Sequence, residues 1–184
     1  MQLKGKTAII TGGGSGFGAS MADLFAKNGA KVIVADIDLD SARKVAEGSG
    51  GYALEVDVSN AKSVEQMKID IFKEHEKVDI VVNNAGTTHL PAPMETIEED
   101  EFDRVFNVNC KSVYLTAKHF VPHFKENKSG VILNIASTAG VSPRPNLNWY
   151  NSSKGWMILA SKTMAVELAP FGIRVNVINP VAGE

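Results

Sequence analysis

Short runs of apolar, mostly β-branched residues recur along the chain, separated by longer stretches with helix start and stop signals. Such runs are typical of buried strands, because a strand covered on both faces has no polar side with which to alternate. They predict six strands, at 7–10, 31–35, 52–56, 79–82, 131–135 and 174–178. The stretches between them predict helices at 18–27, 41–47, 62–75, 98–125 and 150–168.

Strands and helices therefore alternate through the whole chain. This order favours an α/β fold in which a doubly wound parallel sheet carries helices on both faces. With 184 residues and no linker or repeat, we expect one domain over residues 1–184. Two Pro-containing loops, 87–93 and 142–148, follow strands and so lie at the carboxyl ends of the strands, where such folds bind ligands.

Composition narrows the classes of partner. The formal net charge is -2 and no Lys/Arg run occurs, which argues against nucleic acid and membrane surfaces as partners. No apolar stretch is long enough to span a membrane, and the first residues do not resemble a signal peptide. A single cysteine, Cys110, excludes an internal disulfide. We expect a soluble, cytoplasmic protein without a metal site and with a small-molecule partner.

A glycine-rich loop, residues 11–18 (TGGGSGFG), joins the first predicted strand to the first helix. Glycines allow a close backbone approach to a pyrophosphate, and the helix N-terminus offers free N–H groups. The formal dinucleotide pattern is met only as Gly14, Gly16 and Ala19. An ordinary turn is the alternative, although it would need fewer glycines.

Asp36 ends the second predicted strand, twenty residues beyond Gly16. A carboxylate at this distance can bind the ribose hydroxyls of a dinucleotide and would repel the 2′-phosphate of NADP. No basic residue in the loop or directly after Asp36 offsets that repulsion, so NAD is the predicted cofactor. A solvated turn aspartate is the alternative interpretation.

Tyr150 and Lys154 are four residues apart on a predicted helix, so their side chains share one face. A phenol beside an ammonium can exchange protons, since the cation stabilises the phenolate. An amphipathic helix with an exposed lysine explains the pair equally well. Residues 83–86 (NNAG) and Ser137, both directly after strands, likewise read in isolation as polar turns.

In combination, these features resemble the classical short-chain dehydrogenase/reductase family. The glycine loop, NNAG, Asn109, Ser137 and the Tyr150/Lys154 pair occur in the family's order across the whole chain. The resemblance implies a Rossmann-like three-layer αβα sandwich. It also implies a cofactor site made of Gly12, Ser15, Gly16, Phe17, Gly18, Asp36, Ile37, Asp57, Val58, Asn84, Ala85, Gly86, Tyr150, Lys154 and Pro180.

The resemblance assigns catalytic roles to Asn109, Ser137, Tyr150 and Lys154. Tyr150 would exchange a proton with the substrate oxygen, Ser137 would hydrogen-bond that oxygen, and Lys154 would support the tyrosine and hold the nicotinamide ribose. Asn109 would anchor a water that relays protons toward Lys154. The following Lys-Ser-Val-Tyr stretch favours Asn109 over Asn107 for this role.

The sequence also departs from the family pattern. Val181 replaces the usual glycine after Pro180, so the backbone under the nicotinamide is expected to differ locally. The family's last strand and substrate lid would lie beyond Glu184, and we expect a truncated or partly observed chain. The resemblance implies a homotetramer, or a homodimer paired through the long helices. Four loop residues are substrate-facing candidates or ordinary loop residues: His89, Arg144, Asn148 and Trp149.

The predicted function is hydride transfer between NAD(H) and a secondary alcohol or ketone. A 3-oxoacyl-carrier-protein reductase is the enzymatic alternative, although such reductases commonly use NADPH, which Asp36 disfavours. A non-catalytic NAD-binding scaffold is the alternative from another class. It would lack a catalytic residue, whereas Ser137, Tyr150 and Lys154 are all present.

Overall fold

A computed structural model describes residues 2–181 of the chain. Within that span, one parallel sheet runs in the order β3-β2-β1-β4-β5-β6. Its strands are β1 (Thr7–Thr11), β2 (Lys31–Asp36), β3 (Tyr52–Glu55), β4 (Ile80–Asn83), β5 (Gly130–Ile135) and β6 (Ile173–Ile178). All six lie where the apolar runs predicted them.

The α-helices connect these strands and cover the sheet. They are α1 (Gly16–Lys27), α2 (Leu39–Ser49), α3 (Ala61–Glu74), α4 (Glu99–Phe106), α5 (Ser112–Glu126) and α6 (Asn148–Leu168). Short 3₁₀ turns occupy Met94–Thr96, Thr138–Gly140 and Ala169–Phe171. No helix within residues 2–181 is both long and apolar enough to cross a lipid bilayer.

Alternate residues of β1 point into two separate cores. Ile9 faces α3, α5 and α6, where it belongs to one cluster with Ile71, Phe120 and Leu168. Ile10 faces the opposite way, into a cluster with Ala22 of α1 and other small residues of α1 and α2. Helices thus cover both faces of a parallel sheet, which confirms the predicted doubly wound α/β fold.

The strand order reverses between β1 and β4, because the chain first moves outward to β3 and then returns to the other side of β1. In sheets of this kind the connections leave a crevice beyond the carboxyl ends of the strands at the reversal. The loops that carry the candidate residues after β1, β2, β4 and β5 all meet there.

The prediction of one continuous helix at 98–125 is wrong. The structure divides it into α4, a π-helical turn at Asn107–Lys111, and α5. A π turn inserts one residue into the helix and reorients the side chains around it. Here the fully buried Asn109 is directed at the loop after β4 and at α6, and these contacts do not follow from local sequence.

Candidate active site

Two adjoining cavities lie at the carboxyl ends of the strands. The larger, about 600 Å³, extends from the glycine loop past Asp36 to Asp57. The smaller, about 280 Å³, contains Ser137, Tyr150 and Lys154. The two cavities share the lining residues Phe17, Asn84, Gly86 and Thr87. A long ligand can therefore extend from one cavity into the other.

The glycine loop after β1 is shaped by close backbone contacts. Gly12 has φ +60°, and a Cβ at this position would lie 2.8 Å from the Cα of Ala85. A Cβ on Gly18 would collide with the carbonyl oxygen of Gly12. By contrast, Gly16, with φ +51°, has open space where its Cβ would be. The loop is tight on the protein side and open toward the cavity, as a bound diphosphate requires.

The N-terminus of α1 has no capping side chain. Asp38 caps α2 and Asn60 caps α3 through hydrogen bonds to backbone N–H groups, whereas the Ser15 side chain makes no such bond to α1. The first turn of α1 also lacks an acidic residue. Its amides and helix dipole are therefore available to an anion in the larger cavity.

The carboxylate of Asp36 is fixed by backbone amides at the end of β2. Its Oδ2 accepts a hydrogen bond from the N–H of Gly14 (2.8 Å), and its Oδ1 accepts one from the N–H of Asp38 (3.1 Å). Asp36 lines the larger cavity beside Ile37, whose side chain is 70% exposed. A negative group and an apolar surface thus stand together, as the ribose and adenine of a dinucleotide require.

Arg104 of α4 also lines this cavity, and sequence reasoning missed it. Its guanidinium forms two hydrogen bonds of 2.8 Å to Glu101 and further bonds to the Thr87 hydroxyl and the Thr88 carbonyl. In sequence the Glu101/Arg104 spacing reads as an ordinary surface pair on a helix. The Glu101 carboxylate largely neutralises the positive charge that Arg104 brings near Asp36.

Asp57 and Asn84 also line the larger cavity. The Asp57 Oδ1 accepts hydrogen bonds from the N–H and hydroxyl of Ser59, which orders the turn between β3 and α3. Val58 is buried beside it. The Asn84 side-chain amide donates to the carbonyls of Thr11 and Gly12 and so ties the loop after β4 to the glycine loop.

Ser137 is held in the smaller cavity by the 3₁₀ turn that follows β5. Its Oγ accepts a hydrogen bond from the N–H of Ala139 (3.1 Å), and within residues 2–181 its hydroxyl hydrogen has no acceptor. The hydroxyl can therefore donate to a ligand oxygen. Pro180, which also lines this cavity, accepts a hydrogen bond from the N–H of Thr138 through its carbonyl.

Tyr150 and Lys154 lie on one face of α6, as predicted. The Lys154 ammonium is 5.9 Å from the centre of the Tyr150 ring and donates to the Ile135 carbonyl at 2.9 Å. Lys154 is 4% exposed, and burial lowers the pKa of its ammonium to about 8. In the described part of the chain the Tyr150 phenol makes no hydrogen bond, so it is open to a ligand.

Asn109 joins three elements rather than facing the cavity with a free amide. Its Oδ1 accepts from the Thr87 N–H, and its Nδ2 donates to the Thr87 carbonyl and the Ser153 hydroxyl. Gly86 lies beside both Asn109 and Lys154, since a Cβ on it would be 3.2 Å from the Lys154 Nζ. The predicted water relay through Asn109 is not tested by these contacts and stays a prediction.

The structure separates the four candidate loop residues. Arg144 lines the smaller cavity together with Ser137 and Tyr150. His89 is 1% exposed and bonds the Leu90 carbonyl through Nδ1. The Trp149 indole donates to the Met94 carbonyl, and Asn148 borders a separate surface hollow. Arg144 is thus the member of this set that lies in the cavity containing the candidate catalytic residues.

Comparison with known proteins agrees with this geometry. Residues 6–183 match the model of the family described as short chain dehydrogenase. A 4-formylbenzenesulfonate dehydrogenase of Comamonas testosteroni is 44% identical over 100% of this chain and 75% of its own length. A 3-oxoacyl-[acyl-carrier-protein] reductase of Thermotoga maritima is 37% identical over 98% of this chain and 75% of its own length.

Solved structures show the same fold. The crystal structure of a 3-ketoacyl-(acyl-carrier-protein) reductase from Brucella melitensis, complexed with NADH, superposes with a TM-score of 0.97. The two sequences are 49% identical, and the match covers 99% of this chain and 78% of that one.

Proposed function

The chain belongs to the short-chain dehydrogenase family, and from this premise we propose that it is an NAD-dependent oxidoreductase acting on a secondary alcohol or the matching ketone. The observation that carries the proposal is the continuity of the two cavities. One presents Ser137, Tyr150 and Lys154, and the other presents the open glycine loop and Asp36. Family membership supports a nicotinamide cofactor across both.

NAD is proposed over NADP on electrostatic grounds. The Asp36 carboxylate suits two ribose hydroxyls and repels a 2′-phosphate at the same position. Arg104 supplies the opposite charge nearby, but its bonds to Glu101 hold it away from that task. The related Brucella reductase is described as complexed with NADH, which agrees with this choice.

The proposed roles follow from the free hydrogen-bonding capacity of each side chain. When bound, NAD⁺ supplies the acceptor for the hydride that leaves the carbinol carbon. Ser137 donates its free hydroxyl hydrogen to the substrate oxygen and fixes the position of that oxygen. Tyr150, as phenolate, takes the hydroxyl proton as the ketone forms and returns it in the reverse reaction. The Lys154 ammonium stabilises the phenolate through its charge.

Asn109 and Asn84 are proposed as positioning residues for this site. Asn109 ties the loop after β4 to α6, and Asn84 ties the same loop to the glycine loop. Because that loop borders both cavities, the two amides set the distance between cofactor and proton donor. We propose one catalytic and cofactor-binding domain, in which Gly12, Ser15, Phe17, Val58, Ala85 and Pro180 contact the cofactor.

Self-association into a homodimer or homotetramer is part of the same proposal. Helices α5 and α6 present large exposed apolar side chains, among them Tyr114 (55% exposed), Leu159 (66%) and Val166 (79%). Apolar helix faces of this kind are typical of subunit interfaces.

A 3-oxoacyl thioester reductase is the second candidate. It is favoured by two relatives that carry such a name, the Thermotoga protein at 37% identity and the Brucella protein at 49%. A non-catalytic scaffold is disfavoured, since Ser137, Tyr150 and Lys154 meet in one cavity. Reduction of a 3-oxoacyl thioester with NADH, compared with oxidation of simple secondary alcohols with NAD⁺, separates the two enzymatic candidates.

The proposal is tested by replacing the proton donor. Tyr150→Phe removes only the hydroxyl, so NADH binding, followed by fluorescence titration, should be unchanged. Turnover should fall by roughly 10²- to 10⁴-fold, the usual contribution of a general acid or base. Tyr52→Phe, on an exposed tyrosine of the edge strand β3 that lines neither cavity, is the matched control and should retain full activity. An active Tyr150→Phe enzyme would refute the assigned role.

A further inference from the structure

We propose that Arg144 binds an anionic oxygen group of the substrate, so that the enzyme selects secondary alcohols and ketones that carry a carboxylate or a similar acid group. The inference rests on the proposed function, because it concerns the substrate of that same site. It assigns a specificity role to a loop residue outside the proton-transfer machinery.

The first support is the charge of the smaller cavity. Its lining includes Arg144 and Lys154 and, among the described residues, no aspartate or glutamate. The Lys154 ammonium already donates a hydrogen bond to the carbonyl of Ile135, which also lines this cavity. Arg144 is therefore the cation through which the protein can attract the free end of a ligand held at Ser137 and Tyr150.

The second support is the unused guanidinium of Arg144. Within residues 2–181, its side chain forms neither an ion pair nor a hydrogen bond. Arg104, at the edge of the neighbouring cavity, shows the contrast, since Glu101 and the loop after β4 occupy its donors. An arginine fork binds carboxylates with two parallel hydrogen bonds. Arg144 retains that capacity.

The third support is the rigid backbone around Arg144. Pro143 and Pro145 flank it, so its own backbone is confined to extended conformations and both neighbours have a fixed φ. The Asn151 amide donates to the Arg144 carbonyl at 2.7 Å. Because Asn151 directly follows Tyr150 on α6, this bond fixes the Arg144 backbone relative to the proton donor.

A second anchor fixes the far end of the same loop. The N–H of Ala92 donates to the carbonyl of Asn146 at 3.0 Å, which joins the loop to the segment after β4. Arg144 thus projects from a loop pinned at two points. Because the backbone of this loop is already fixed, binding an anion costs mainly the freedom of the Arg144 side chain itself. Arg144 also lines a surface hollow that includes Glu95, and the two residues form no ion pair.

The test uses substrates that differ only in charge. One pair is 4-(1-hydroxyethyl)benzoate and the neutral 4-(1-hydroxyethyl)benzamide, and a smaller pair is 3-hydroxybutyrate and 3-hydroxybutanamide. We expect the wild-type chain to oxidise the acids with kcat/KM on the order of tenfold higher than the amides, since a charge-assisted bidentate contact is involved. Arg144→Met should abolish this preference while keeping activity on the amides.

Two further variants make the result specific. Arg144→Lys should restore part of the acid preference, because it keeps the charge but loses the fork. Arg43→Met, an exposed arginine of α2 paired with Asp40, is the control and should leave the acid/amide ratio unchanged. Equal loss of activity on acids and amides in Arg144→Met would reveal a structural role and overturn the proposal, as would an unchanged ratio.

A binding measurement separates this inference from the proposed function. In the presence of NADH, 4-acetylbenzoate should bind the wild-type chain more tightly than 4-acetylbenzamide, and Arg144→Met should remove the difference. Binding preference without turnover would sustain the anion site and count against the oxidoreductase proposal. Equal binding of acid and amide overturns the anion site whether or not the enzyme turns over.

Discussion

At the scale of single residues, Lys154 lowers the stability of the folded chain, because its ammonium is buried, whereas the proposed function needs its charge. It is 4% exposed, and burial lowers its pKa from 10.5 to about 8. The unfolded chain regains the ordinary pKa and therefore binds more protons between about pH 8 and 10.5. Folding stability must rise with pH across that window, because the cost of burying the ammonium disappears as it deprotonates.

Lys154→Met should remove this cost, which amounts to about 3 kcal/mol at pH 7. Without cofactor, the variant should gain thermal stability relative to wild type at pH 7, and most of that gain should vanish at pH 10. Scanning calorimetry at both values measures the difference. Lys162→Met, an exposed lysine of the same helix, should show no such pH dependence. A Tm difference that is equal at both pH values would contradict the assignment.

At the scale of elements, Asp79 joins the beginnings of two central strands. Asp79 directly precedes β4. Its Oδ2 accepts from the N–H of Thr7 in β1, and its Oδ1 pairs with Lys6 (3.1 Å) and Lys77 (2.9 Å). Burial alone would raise the pKa of Asp79, but the hydrogen bonds from Lys77, Thr7 and Lys6 outweigh it and hold the pKa below its usual range. The ionised form therefore stabilises the folded sheet.

Asp79→Asn should lower the free energy of unfolding at pH 7 by about 1 to 3 kcal/mol. Because the folded pKa is lowered, the contribution is present above the ordinary value of 3.8 and is lost as pH falls through the folded pKa. Urea unfolding at pH 7 and pH 3 should show the difference from wild type narrowing. Asp70→Asn, which breaks the exposed pair with Lys73, should change little. An equal loss at both pH values would exclude the ionic explanation.

The sequence predicted the strands and most helices of this fold because their apolar pattern and glycine stops are local signals. The π turn at Asn107–Lys111 escaped prediction, since it depends on Asn109 reaching Thr87 and Ser153 from distant segments. For the candidate site, the order of the motifs predicted that the named residues lie at the carboxyl ends of the strands, and the structure places them there. The pairing of Arg104 and the free guanidinium of Arg144 could not be foreseen, because ion pairing is decided by tertiary packing.

For the whole molecule, ligand binding is coupled to the fold because the proposed cofactor site draws on segments far apart in sequence. The larger cavity is lined from the glycine loop, the ends of β2 and β3, the loop after β4 and α4. None of these segments forms the site alone. A cofactor that binds there stabilises the folded chain and not the unfolded one. Its affinity can therefore be measured through the increase in thermal stability that it causes.

NADH at about 100 times its Kd should therefore stabilise the chain by roughly 2.7 kcal/mol, which for a chain of this size corresponds to a rise in Tm of roughly 5 to 10 °C. NADPH at the same concentration should raise Tm less, because its 2′-phosphate meets the Asp36 carboxylate. Asp36→Ala should shrink the NADH shift and enlarge the NADPH shift, whereas Asp40→Ala removes a nearby exposed carboxylate as the control. A larger shift with NADPH in the wild-type chain, or identical behaviour of the two variants, would show that Asp36 does not select the cofactor.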